Sequence, residues 1–198
     1  QMAQQGVAVF SSNYTLYGSI SNRVLHVLRT FSPDMEVYSI DEAFLEIPVH
    51  QNENLHAFGL RIRDTVMNEV GIPVTVGIAT TKTLAKMANH YAKRECKQSG
   101  VYVGVTPAEV DRLLQFTDVA DIWGIGNQHK KQLIKLGLRK AKDLLPFNEE
   151  WMRKNLTVTG VRLLYELRSI PCISMETMVP AKQGISVARS FGSLLRNK

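Results

Sequence analysis

The residue pattern predicts a mixed α/β (α+β) chain: a ferredoxin-like, split βαβ sheet followed by a small all-α region built on a helix-hairpin-helix. Three observations carry that expectation. Strand-length apolar runs alternate with helix-period segments as far as Val105. After Leu114 the strand signals give way to helical segments punctuated by glycine. The formal net charge of +6 is also unevenly divided. Residues 1–123 carry ten Lys and Arg against thirteen Asp and Glu, a net −3, whereas residues 124–198 carry fourteen against five, a net +9. An acidic module joined to a strongly basic one points to a polyanionic partner for the second half.

The elements follow in order. Val7–Phe10 is an apolar run expected to be a strand. Ser12 or Asn13 can cap a helix from Tyr14 to Arg29, with Tyr17, Ile20, Val24 and Leu28 at three- and four-residue spacing. Ser32-Pro33-Asp34 ends it, and Val37–Ile47 reads as a pair of strands. A polar loop, His50–Asn54, leads to a second helix with Leu55, Phe58, Ile62 and Val66 on one face, stopped by Gly71-Ile72-Pro73. Val74–Ala79 is a strand, Thr80 or Thr81 caps a helix reaching Glu95, and Val101–Val105 is a further strand. Thr106-Pro107-Ala108-Glu109 has the form of a capping box with proline in the first turn. The β-α-β-β-α-β-α-β order predicts one sheet with its helices on one face. Next come a glycine turn, a helix Asn127–Leu136 closed by Gly137, a short helix Lys140–Leu145, and a helix Met152–Arg168. Pro180–Gly184 reads as a linker, and Ile185–Phe191 as the first strand of a further unit.

The 198 residues suffice for one large domain or two small ones. Cys96 and Cys172 lack metal-ligand spacing, which suits a reduced, cytoplasmic setting. No apolar run reaches membrane-spanning length, no signal peptide is visible, and no membrane partner is expected. The start, Gln1-Met2-Ala3, reads as the tail of a preceding element, so a longer parent protein is expected.

The chemistry centres on VYSIDEAFLEI, Val37–Ile47, where Asp41 and Glu42 sit between two apolar runs. In one straight strand neighbouring side chains point to opposite faces. The two carboxylates therefore share a target only if the chain bends there, as at a hairpin tip or bulge. So placed, they suit a hard cation such as Mg²⁺ that is shared with substrate phosphates; otherwise they are merely a solvated turn. In the helix Lys82–Glu95, Lys82, Lys86, His90 and Lys93 fall on one face, opposite Leu84, Met87, Ala88 and Tyr91. That stripe is either a solvated lysine face or a charge-neutralising wall for phosphates. In DIWGIG, Asp121–Gly126, glycines free the next helix start to present backbone N–H groups to a phosphate, with Lys130 and Lys131 adding charge. Trp123 reads as a packing residue.

Together YSIDEAFLEI, PVTVGIATTKTLAKMANHYAK and DIWGIG resemble the Y-family of translesion DNA polymerases over essentially the whole chain. The resemblance implies a palm in residues 1–105, lacking its first strand and the fingers. It implies a helix-hairpin-helix thumb in 106–174, and a linker with the start of a little finger in 175–198. It implies Asp41 and Glu42 as catalytic ligands of two Mg²⁺ ions, with Asp41 bridging them. Lys93 would contact the incoming triphosphate, supported by Lys86, and Gly124, Ile125 and Gly126, with Lys130 and Lys131, would grip duplex DNA. Primer-template DNA and dNTP are the implied partners, with a UmuD′-like subunit, a sliding clamp and a RecA filament for the complete protein in an SOS-linked setting. The stretch taken alone is expected to bind duplex weakly and to incorporate no nucleotide. A non-enzymatic helix-hairpin-helix DNA-binding protein and a two-metal nucleotide cyclase are the rival readings. The first leaves the carboxylate pair and lysine stripe unexplained, the second the basic hairpin.

Overall fold

Local signals account for most of the elements in the computed structural model, which describes residues 5–8, 10–48, 54–176 and 184. Helix α1, Tyr14–Arg29, starts where the Asn13 side chain accepts the Leu16 amide at 3.0 Å. Strands β1, Met35–Val37, and β2, Ala43–Leu45, form an antiparallel hairpin with Met35 opposite Leu45 and Val37 opposite Ala43. Helix α2, Leu55–Val70, is capped by Asn54 and closed by Gly71 in the left-handed conformation. Strand β3, Val76–Ala79, helix α3, Lys82–Glu95, and strand β4, Val101–Gly104, form a parallel βαβ unit with Val76 beside Val101. Helix α4, Pro107–Phe116, carries the capping box, the Thr106 hydroxyl and Glu109 carboxylate each accepting the other residue's amide. A 3-10 turn, Val119–Asp121, precedes α5, Asn127–Lys135; a second, Ala141–Leu144, precedes α6, Glu149–Leu167.

Several expectations are corrected. Val7, Ala8 and Phe10 form no strand; Phe10 is 87% exposed and joins no ladder. The strands among the described residues form two two-stranded sheets, β1-β2 and β3-β4, rather than one. Helices cover both faces of β3-β4. A Cβ on Gly77 would strike the α3 backbone at Ala85, Ala88 and Asn89, whereas Ile78 and Val101 lie against Gly59 of α2. Adjacent strand residues face opposite ways, so α2 and α3 must flank the pair, and a parallel pair buried on both faces is apolar throughout. Lys140–Leu145 is only a 3-10 turn. The last helix begins at Glu149 because Asn148 accepts the Trp151 amide, and it kinks at Thr157, where φ is 64°. The expected final strand, and most of the expected linker and of the loop at 50–54, lie outside the described residues.

Two apolar clusters hold these elements. Phe58, Ile62 and Ile78 pack under α2 with Leu28, Val76 and Val103. The larger cluster runs from Leu84 and Met87 of α3 through Leu113 of α4 and Leu133 of α5 to Met152 and Leu164 of α6. One core thus joins α3 to every helix that follows it.

Candidate active site

The hairpin supplies the bend that the carboxylates need. Tyr38 and Ser39 both donate their amides to the Glu42 carbonyl, at 3.1 and 3.0 Å, closing the loop Tyr38–Glu42. The Ser39 hydroxyl donates to Asp41 Oδ1 at 2.7 Å. Asp41 and Glu42 are both exposed at this tip, and they share with Lys93 and Asn89 a cleft of about 740 Å³ floored by α1 residues including Val24 and Leu28. Glu42 also borders a second cleft, about 1030 Å³, with Lys86, His90, Lys93 and Trp123. The structure therefore brings Asp41, Glu42, Lys86 and Lys93 together, two hard anionic donors facing two cations.

The lysine stripe is not a solvated face. Lys82 donates to Glu36 Oε2 at 2.6 Å, its side chain only 10% exposed, and lies 4.9 Å above the Phe44 ring. Lys86 donates to Glu42 Oε2 at 3.1 Å and sits 4.0 Å above the Tyr38 ring. Aromatic faces draw these ammonium groups in and cover their stems. Trp123 completes the cluster: its Nε1 donates to the Tyr38 hydroxyl at 2.9 Å, and its ring meets those of Tyr38 and Phe44 at 5.6 and 5.9 Å. The hairpin carrying the carboxylates is thus tied to the glycine turn 85 residues away. Only Lys93, at the C-terminal end of the stripe, is exposed.

Mg²⁺ takes carboxylate oxygens and tolerates a partial protein ligand set completed by water or substrate. Asp41 and Glu42 fit that requirement as two donors. No group of three or more His, Cys, Asp or Glu that could hold a metal is gathered among the described residues. On α5, Gly126 is the N-cap without any side-chain acceptor, so its first-turn amides are open to an anion. Gly124 lies at φ 90°, a conformation that side chains resist. Gly124 and Gly126 are exposed, whereas Ile125 packs on the larger core. Lys131 is exposed and Lys130 half-buried on α5; neither lines the two clefts of the carboxylates.

Sequence reasoning missed Glu166. Its carboxylate is fully buried and accepts three amides: Thr83 on Oε2 at 3.0 Å, and Cys172 and Ile173 on Oε1 at 2.9 and 3.2 Å. The Thr81 hydroxyl donates to the Glu166 carbonyl at 3.0 Å. A negative charge thereby caps α3 at its positive end and fastens α6 to the helix that bears the lysines. The signal was present, a glutamate set among Leu163, Leu164 and Leu167.

The fold is that of the palm region of Y-family DNA polymerases. A DinB-family error-prone DNA polymerase from Sulfolobus solfataricus superposes with a TM-score of 0.72 at 28% identity, over 89% of this chain and 53% of that one. Residues 1–90 match the impB/mucB/samB family. It is 44% identical over 191 residues to Protein UmuC of Salmonella typhimurium, covering 96% of this chain and 45% of that protein. It is 38% identical over 132 residues to DNA polymerase IV of Saccharolobus solfataricus, covering 66% and 36%. The chain spans about half the length of the curated relatives it matches, or less.

Proposed function

We propose that this chain supplies the palm and thumb of a template-directed, error-prone DNA polymerase acting across damaged bases, the palm in residues 1–105 and the thumb in 106–174. The observation that carries the reading is the hairpin tip at which Asp41 and Glu42 share a cleft with Lys93. Asp41 and Glu42 would hold Mg²⁺, which when bound supplies Lewis-acid stabilisation of charge at the attacking and leaving oxygens. Lys93, exposed and lining both clefts, would neutralise the triphosphate, and Lys86, against Glu42, would hold that carboxylate in position. The open amides of the Gly124–Gly126 turn and α5, with Lys130 and Lys131, would grip duplex backbone without reading sequence.

The edges of β2 and β3 that no strand pairs among the described residues border a groove of about 430 Å³ lined by Ala43, Leu45, Val76 and Ile78 and reaching Asp41. A further strand seated there would join the two sheets and bring a third carboxylate beside Asp41. Primer-template DNA and dNTP are the substrates in this reading. A UmuD′-like subunit, a sliding clamp, a RecA filament, the SOS setting and a cytoplasmic location belong to the same proposal for the whole protein.

The test uses the full-length protein. Asp41→Ala or Glu42→Ala should abolish primer extension, because a lost ligand removes several kcal/mol of transition-state stabilisation, while duplex affinity stays nearly unchanged. Lys93→Ala should lower catalytic efficiency for dNTP by roughly tenfold or more. Normal extension by either carboxylate variant overturns the assignment.

A further inference from the structure

The geometry points to Tyr38 and Trp123 as positioning residues, an aromatic corner that fixes the Lys86 ammonium and, through it, the orientation of the Glu42 carboxylate. This role rests on the polymerase reading for the metal that Glu42 would hold, and it adds two residues that are not themselves ligands. The Lys86–Glu42 ion pair is partly open to water, with side chains 21% and 49% exposed. Such a pair has little energy of its own, and a flexible lysine stem does not fix a carboxylate. The rings hold the ammonium. It lies 4.0 Å from the centroid of Tyr38 and 5.5 Å from that of Trp123, and the two rings stand at 86° to one another. Two π systems set at that angle draw a cation into the corner between them, and Glu42 Oε2, 3.1 Å away, completes its surroundings.

The corner is itself braced. Trp123 Nε1 donates to the Tyr38 hydroxyl at 2.9 Å, so turning either ring breaks that bond. Phe44 lies 5.8 Å from the Tyr38 ring and 5.9 Å from that of Trp123. Tyr38 also donates its amide to the Glu42 carbonyl at 3.1 Å, and so reaches Glu42 through the backbone as well as through Lys86. The consequence falls on the carboxylate. Lys86 occupies Oε2, while Oε1 accepts no hydrogen bond among the described residues. A carboxylate that ligates a metal is itself held by hydrogen bonds, and removing such a supporting partner weakens metal binding by about ten- to a hundredfold. Neutral rings suit the task, because they steady the cation without offering a competing donor to the metal.

The experiment has a metal-free part and a metal-dependent part. In this chain, NMR follows the Lys86 ε-methylene protons, which the rings should shift upfield, and then the Glu42 amide during titration with Mg²⁺ alone. In the full-length protein, the Mg²⁺ concentration that half-saturates primer extension is measured. Trp123→Leu leaves the lysine charge in place and removes one wall. The upfield shift should collapse toward that of a solvated lysine, and Mg²⁺ affinity should fall roughly three- to tenfold in both assays. Tyr38→Phe removes only the hydroxyl and should act in the same direction by roughly two- to threefold. In a Lys86→Met background, Trp123→Leu should weaken Mg²⁺ no further, because its effect passes through the ammonium. Independent, multiplying losses in that double variant would make Trp123 a packing residue and overturn the proposal. So would Lys86 methylene protons at solvated positions in the unsubstituted chain, or unchanged Mg²⁺ affinity in both ring variants. A Glu42→Ala protein with normal extension and an unaltered Mg²⁺ response would instead overturn the metal assignment on which this role rests, whatever the ring-induced shift shows.

Discussion

Glu166→Gln is the substitution most directly worked from the geometry. The carboxylate accepts two amides on Oε1, from Cys172 and Ile173, and one on Oε2, from Thr83. The glutamine amide can turn its oxygen toward the pair, but its NH₂ group then confronts the Thr83 amide, donor against donor. One charge-assisted bond, about 1.5–3 kcal/mol, is lost, and a buried N–H is left without an acceptor, so the total is about 3 kcal/mol. Glu166→Ala orphans all three amides and should cost about 4 kcal/mol or more. For a chain of this size about 3 kcal/mol lowers the melting midpoint by roughly 6–12 °C. Urea denaturation followed by circular dichroism measures the loss. Native-state hydrogen exchange should show faster exchange at Thr83, Cys172 and Ile173. A Glu166→Gln variant within about 0.5 kcal/mol of the parent would refute the claim that this carboxylate fastens α6 to α3, since changes of that size are what surface sites give.

Two further predictions concern stability. Gly77→Ala should lower it by several kcal/mol in the same denaturation assay, because the added Cβ meets α3 backbone atoms that cannot give way without moving the helix. On acidification, Asp143 and Glu109 should contribute to unfolding. Amides of Lys140 and Arg139 hold the Asp143 carboxyl below its ordinary value of 3.8. Partial burial pushes Glu109 up, but hydrogen bonds from the Thr106 amide and hydroxyl and the Val105 amide together keep it below its ordinary 4.5. Both pKa values are depressed in the fold, so their stabilisation is complete above the unfolded values and fades as pH falls through the lower folded ones. Melting midpoints should therefore decline below about pH 4.5, and Asp143→Asn should melt lower at neutral pH yet lose less on acidification; an identical acid slope would contradict the assignment.

The sequence by itself determined what local chemistry controls. Asn13 before an apolar period of 3.6 sets the start of α1, Thr81 and Thr106 set those of α3 and α4, and Gly71 ends α2; each depends on atoms within four residues. It also determined that Asp41 and Glu42 face a common target only across a bend, which the loop Tyr38–Glu42 provides. Non-local contacts decided the rest. Val7–Phe10 has the composition of a strand, yet Val7, Ala8 and Phe10 pair with no strand edge among the described residues, and strand propensity without a partner leaves coil. The lysine stripe has the same spacing whether solvated or buried; the carboxylates of Glu36 and Glu42 and the aromatic rings of Tyr38, Phe44 and Trp123, far away in sequence, turned Lys82 and Lys86 inward. Glu166 looks like an error in an apolar helix face until three amides from two other segments converge on it. Capping and periodicity are settled within one or two turns of chain, whereas burial of charge is settled by whichever groups tertiary packing brings within about 3 Å to replace the lost water.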